Sequence, residues 1–267
     1  MQVEQQAGPL LELTGVSKRF GAVQALTSVD FELFSGEVVA LVGDNGAGKS
    51  TLIKAISGIL PIDDGSIRFE GNLVSLNGPN AATSLGIATV YQDLALCDNL
   101  DVVGNLFLGR ESTAAGIGRV FHWLDEIEME QEASGLLRRL SVSIPSVRTP
   151  VASLSGGQRQ SVAVARSQMG SPKMVQLDEP TAALGVAQTK QVLDLIRRLR
   201  EDGLGLVIIS HNLVDVFEVA DRIVVLRLGR RVATFQTKDT SAEQVVAAIT
   251  GADEAHVHRS LGIGEAT

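Results

Sequence analysis

Five consecutive apolar residues, Val38-Val39-Ala40-Leu41-Val42, run into Gly43-Asp44-Asn45-Gly46-Ala47-Gly48-Lys49-Ser50 and then into Thr51-Leu52-Ile53-Lys54-Ala55-Ile56. A short apolar run bounded by glycine predicts a strand buried on both faces, and the stretch after the loop predicts a helix over 49–57. Comparable runs predict strands over 10–16, 29–34, 65–69 and 87–91, a short helix near Asn80, and further strands near Val175, Val207 and Ile223. Strands alternating with helical stretches, among them 186–200, predict an α/β fold with a mostly parallel sheet. Between Gln92 and Leu154 the strand pattern stops, and 106–110 and 124–140 carry helical spacing. A last helix is expected over 241–249. The end of the chain, 252–267, is expected to fray, and its His256 and His258 are too few for a metal site.

Three segments carry candidate chemistry. The loop 43–50 has the form G-x-x-x-x-G-K-S between a strand and a helix. Its glycines admit positive φ and bring backbone N–H groups close to an anion, and the helix N-terminus adds free N–H groups and the positive end of its dipole. Lys49 would reach β- and γ-phosphates, and Ser50 would offer a hydroxyl to Mg²⁺. Leu154-Ser155-Gly156-Gly157-Gln158 is a second site of this kind, with Ser155 as N-cap of a helix, although by itself it also fits a plain loop. Met174-Val175-Gln176-Leu177-Asp178-Glu179-Pro180 reads as a strand ending in two carboxylates. Asp178 suits Mg²⁺ through a bound water, and Glu179 suits polarising an attacking water. The same pair alone would fit an acidic surface turn.

In their order and separations these segments resemble the ATP-binding subunits of ABC transporters, over about residues 10 to 252. The resemblance implies a P-loop NTPase (RecA-like) core with a mostly parallel sheet, an antiparallel β portion and an inserted α-helical subdomain. It implies one domain over 8–252, with the insert at about 94–165 and a flexible tail at 253–267. Gly43, Asp44, Asn45, Gly46, Ala47, Gly48, Lys49, Ser50 and Thr51 then hold ATP, with Mg²⁺ on Ser50, Asp178 and Gln92. Gln92 falls where the family has its Q-loop, and His211 ends a strand where the family has its switch histidine. Phe20 falls where the family stacks an aromatic on adenine, although a core position at a strand end fits it equally. Glu179, His211 and Gln92 become the catalytic set. Ser155, Gly156, Gly157 and Gln158 close over the nucleotide of a second copy, which implies a homodimer with ATP sandwiched head to tail. The further partners implied are two membrane permease subunits and, through them, a sugar-binding protein outside the cell. The implied location is the cytoplasmic face of a bacterial inner membrane. Leu94, Leu96 and Leu100 read as exposed apolar residues of the groove that receives the permease.

Thr181-Ala182-Ala183-Leu184-Gly185-Val186, with the loop 43–48 and 105–111, resembles the monosaccharide-importing branch. Gly185 stands where many members have an Asp that helps couple the paired sites. Gln176 puts a polar side chain into a strand buried on both faces, so it needs a hydrogen-bond partner.

Composition changes this picture little. The chain has 267 residues, 45% hydrophobic and 20% charged, enough for one large domain. With 23 basic and 31 acidic residues, a net −8, it lacks the basic excess of a nucleic-acid binder. Cys97 is the single cysteine, so no internal disulfide can form, and a role as a small apolar filler is expected. No apolar run reaches the ~18 residues of a membrane span, and 1–6 lack the pattern of a signal peptide.

Overall fold

The computed structural model describes residues 8–113 and 123–252. In chain order these form β1 (Leu11–Phe20), β2 (Val23–Leu33), β3 (Val38–Val42), α1 (Lys49–Ile56), β4 (Asp64–Phe69), β5 (Asn72–Val74), α2 (Pro79–Leu85) and β6 (Ile87–Val90). Then follow α3 (Val102–Phe107), α4 (Glu126–Arg139), α5 (Gly156–Gln168), β7 (Met174–Asp178), α6 (Val186–Glu201) and β8 (Gly205–Ile209). The last elements are α7 (Leu213–Val219), β9 (Arg222–Arg227), β10 (Arg230–Gln236) and α8 (Ala242–Thr250).

One sheet has six strands in the order β10-β9-β3-β8-β7-β6, parallel throughout except for the antiparallel β10 at its edge. A second sheet, antiparallel, has the order β2-β1-β4-β5. Strand alternation divides the apolar residues between two cores. Val38, Ala40 and Val42 face one way, onto the core with Val162, Val192 and Ile196 of α5 and α6. Val39 and Leu41 face the other, onto Leu52, Ile53 and Ile56 of α1 and onto Leu13 and Phe31 of the antiparallel sheet.

Most of the expected elements are present, and the differences have local causes. β1 and β2 extend beyond the expected strands because they pair with each other as a hairpin from Leu11↔Leu33 to Phe20↔Val23, which carries polar positions along. Two strands, β5 and β10, were not expected. Each follows a two-residue turn with both residues at positive φ, Glu70-Gly71 (50° and 76°) and Leu228-Gly229 (49° and 74°), the hairpin geometry that matches strand twist. β10 is an edge strand that opens on exposed Arg230 and Arg231 and has no long apolar run, although Ala233 and Phe235 rest partly buried on the main core. The helix expected at 106–110 lies instead at α3, capped by Asp101, whose Oδ1 accepts from Gly104 N at 2.7 Å. It stops where Leu108 turns extended and Gly109 takes φ 78°. The acidic run 125–132 is the solvated face of α4, while Met129, Ala133, Leu136 and Leu137 form its buried stripe. Glu126 and Glu130 of that face reach Arg148 at 3.3 and 2.9 Å. Leu94, Leu96 and Leu100 are half-buried, not exposed, and Leu94 and Leu96 pack against the main core. Residues 253–267, with His256 and His258, lie outside the described residues.

Candidate active site

Four parallel strands, β3, β8, β7 and β6, lie side by side, and the chain leaves their carboxyl ends through the loop 43–48, His211, the pair Asp178–Glu179, and Gln92 respectively. That edge of a parallel sheet is where α/β folds bind ligands.

The loop after β3 is shaped by its glycines. Gly43 has φ 150° and a Cβ there would run into the Leu226 carbonyl; Gly48 has φ 104°, and its Cβ would lie 2.7 Å from Ala25 O. The loop is braced from behind, with Gly229 N donating to Ala47 O at 3.0 Å. Gly48 is the N-cap of α1 and supplies no side chain to cap it, and the first turn holds no acidic residue. The N-terminal N–H groups of α1 therefore face the loop with no side-chain acceptor. Lys49 Nζ donates to Gly43 O at 2.7 Å and to Asp44 O at 3.0 Å, so its charge is already folded over the loop. Asp44, Asn45, Gly46 and Ser50 are exposed, whereas Ala47 is buried and Thr51 half-buried.

By strand alternation Met174, Gln176 and Asp178 share the face turned toward α1. Asp178 is half-buried. Burial and, after it, the neighbouring charge of Glu179 push its carboxyl above the usual range, against the opposing pull of Lys49 and Lys54. Glu179 follows in the left-handed region at φ 51°, uncommon for a residue with a side chain and costing about 1–3 kcal/mol. Its amide donates to Ile209 O at 3.0 Å, and its carboxylate Oε2 lies 2.9 Å from His211 Nδ1. The His211 side chain is 77% exposed, which rules out a core histidine, while that of Glu179 is only 16% exposed. Gln176 is fully buried; its Nε2 donates to Thr89 Oγ1 at 3.2 Å, but its Oε1 has no partner, so the need for hydrogen bonds is half met.

Phe20 and Ser155 stand on elements other than these four strand ends. Phe20 ends β1 in the antiparallel sheet, 46% exposed, with Lys18 Nζ 5.8 Å from its ring centre. It is not a core residue. Ser155 caps α5, accepting from Gln158 N at 3.3 Å while Gln158 Oε1 accepts from Ser155 N at 2.9 Å. Its surroundings are another part of the same helix-rich interval, the turn after Glu179, and α6: Gln158 Nε2 donates to Ser143 O, and a Cβ on Gly156 or Gly157 would touch Leu184 or Gln188 respectively. At Gly185 the cap of α6 has no side chain to offer, and Gln188 Oε1 accepts from Gly185 N at 3.2 Å instead.

A contact missing from the sequence reading joins two of these segments. Thr181 Oγ1 donates to Asp215 Oδ2 at 2.6 Å, and Asp215 is only 6% exposed. An acid three residues past the cap Asn212 was the signal available for it.

Residues 26–182 match the family described as "ABC transporter". The chain belongs to that family. As an ABC cassette it is 49% identical over 248 residues to the fructose import ATP-binding protein FrcA of Rhizobium meliloti, covering 92% of this chain and 95% of the relative. It is also 49% identical over 241 residues to the xylose/arabinose import ATP-binding protein XylG of Sulfolobus acidocaldarius, covering 90% and 94%. A solved ABC transporter cassette in its ADP conformation superposes with a TM-score of 0.78 at 27% identity, over 96% of this chain and 99% of that one. This chain is thus an ABC-type ATPase. None of its helices among the described residues is long and apolar enough to cross a membrane.

Proposed function

We propose that this ABC ATPase is the energy-coupling subunit of a monosaccharide importer, hydrolysing ATP to drive uptake through two membrane permease subunits supplied by a sugar-binding protein. Similarity at 49% identity over nine-tenths of the chain to fructose and to xylose/arabinose import ATP-binding proteins carries this reading. Residues 8–252 act as one ATP-binding domain with a helical insert at about 94–165, attached to the cytoplasmic face of the membrane by its permease.

The amides of loop 43–48 and of the first turn of α1, with Thr51 behind them, bind the phosphates. Lys49 exchanges its bonds to Gly43 O and Asp44 O for the β- and γ-phosphates. Phe20 stacks on adenine. The oxygen donors of Ser50, Asp178 and Gln92 are the hard ligands Mg²⁺ prefers, and a half-buried carboxyl beside a second one favours a cation. When bound, Mg²⁺ neutralises phosphate charge. Glu179, set over the strand end by its left-handed backbone, polarises the attacking water, and His211 reaches the γ-phosphate. Ser155, Gly156, Gly157 and Gln158 of a second copy close the site. Ser155 Oγ accepts the cap bond, which leaves its O–H to donate to the γ-phosphate. ATP then holds two copies together and hydrolysis releases them.

A cavity of about 300 Å³ beside the edge strand β6, lined by Thr83, Asp93, Leu94, Arg110, Arg166 and Gly170, is the permease-facing groove in this scheme. Of the three leucines expected from sequence, Leu94 lines it. The import reading is tested by uptake of labelled fructose, xylose, arabinose and ribose in cells lacking the chain. Uptake of at least one sugar should disappear and return with the parent gene; undiminished uptake of every sugar would contradict the reading.

A further inference from the structure

We propose that Asp215 is a positioning residue for Glu179, acting through Thr181; the inference rests on the reading of Glu179 as the carboxylate that polarises water. A carboxylate 6% exposed is costly unless its charge is met, and the group meeting it here is the Thr181 hydroxyl at 2.6 Å, a short charge-assisted bond. Asp215 sits in the first turn of α7, where the helix dipole also favours a negative charge.

Thr181 is two residues past Glu179, in a turn with an unusual backbone. Glu179 at φ 51° and Ala183 at φ 58° are both left-handed. The bonds within the turn, Ala182 N to Glu179 O at 3.1 Å and Leu184 N to Thr181 O at 3.3 Å, shape it but do not tie it to anything else. Its ties come from the end of β8, the loop after it and the first turn of α7, which grip it at three points. Ile209 O takes the Glu179 amide, His211 faces the Glu179 carboxylate, and Asp215 takes the Thr181 hydroxyl. The histidine contact is exposed on the His211 side, and it is given up when His211 turns to a phosphate. The grip of Asp215 is buried and persists. It holds the turn, and with it the strained Glu179, in one register while His211 moves.

The same turn packs on the start of α5, since a Cβ on Gly156 would lie 3.2 Å from Leu184 Cδ2. A slack turn would therefore disturb hydrolysis before it disturbed the phosphate-binding loop on β3, two strands away in the sheet.

The test compares Thr181→Val, Thr181→Ser and Asp215→Asn with Glu179→Gln, measuring kcat, KM for ATP and thermal melting on the full chain. Thr181→Val keeps the shape and removes the donor. It should lower kcat about tenfold with KM within about twofold, and Thr181→Ser should restore most of the rate. Asp215→Asn keeps an acceptor but loses the charge, so it should show the same split at about threefold; this variant decides the matter if Thr181→Val fails to fold. Turnover at the parent rate in Thr181→Val, kcat and KM changing together, or no rescue by Ser would overturn the proposal while an inert Glu179→Gln left the role of Glu179 standing. An active Glu179→Gln would instead remove that role, and the positioning role with it.

Discussion

Replacing Phe20 by Ala separates two readings of one ring by their magnitudes. A core phenylalanine truncated to alanine costs 3–5 kcal/mol, through lost transfer energy and the cavity left behind. Phe20 is 46% exposed, so about half of the roughly 1.5–3 kcal/mol for full burial is in play and no closed cavity results. The expected loss of stability is about 1 kcal/mol, a few degrees in melting temperature for a chain of this size. Stacking of a base on an aromatic is worth about 1–3 kcal/mol, so affinity for ATP should fall about 5- to 150-fold. Calorimetric titration of Phe20→Ala, Phe20→Tyr and the parent, with melting curves on the same samples, measures both quantities. Phe20→Tyr keeps the π face and should bind like the parent. Other purine triphosphates should lose a similar factor, since stacking reads only a ring face. Unaltered ATP affinity in Phe20→Ala would refute the stacking role, and a stability loss above about 3 kcal/mol would refute the claim that the ring lies outside the core.

Lys49→Ala removes the charge now held by Gly43 O and Asp44 O and should abolish most ATP affinity and nearly all hydrolysis, with the far-ultraviolet circular dichroism unchanged. In Asp178 the folded state holds its proton more tightly than the unfolded chain does, so the ionised carboxylate weakens the nucleotide-free fold above the carboxylate range and not below it. Asp178→Asn should thus melt higher than the parent at neutral pH, lose that advantage as pH falls through the carboxylate range, and hydrolyse no ATP. Thr83→Arg, an exposed change in the groove beside β6, should leave the ATPase of the isolated chain intact and block co-purification with the permease; retained assembly would count against that groove.

What could be read from sequence follows the range of the interactions. The phosphate loop, the Ser155 cap and the carboxylates after β7 depend on residues adjacent in the chain, and all fold where their patterns pointed. Phe20 could not be decided there, because exposure is set by how β1 pairs with β2 and β4. Leu94 and Leu96 misled for the same reason: polar neighbours suggested a surface, yet both side chains rest on the main core. β10 was missed because its apolar residues are few and its two leading arginines are exposed, so that pairing with β9 is the main sign that it is a strand. The left-handed backbone of Glu179 and the bond from Thr181 to Asp215, 34 residues on, belong to the meeting of β7, β8 and α7; the acid after the cap Asn212 marks a helix start but does not name its partner.

Glu179→Gln bears most directly on the proposed ATPase cycle. The amide keeps the shape and reach of the carboxylate and loses its charge, and the phosphate loop, Ser50 and Asp178 are untouched. General-base catalysis is worth about 10²–10⁴ in rate, so hydrolysis should fall by that factor while ATP still binds. The ATP-bound pair should then accumulate, seen by light scattering as a nucleotide-dependent rise from monomer to dimer mass that Ser155→Arg abolishes. Hydrolysis at the parent rate by Glu179→Gln would contradict the account.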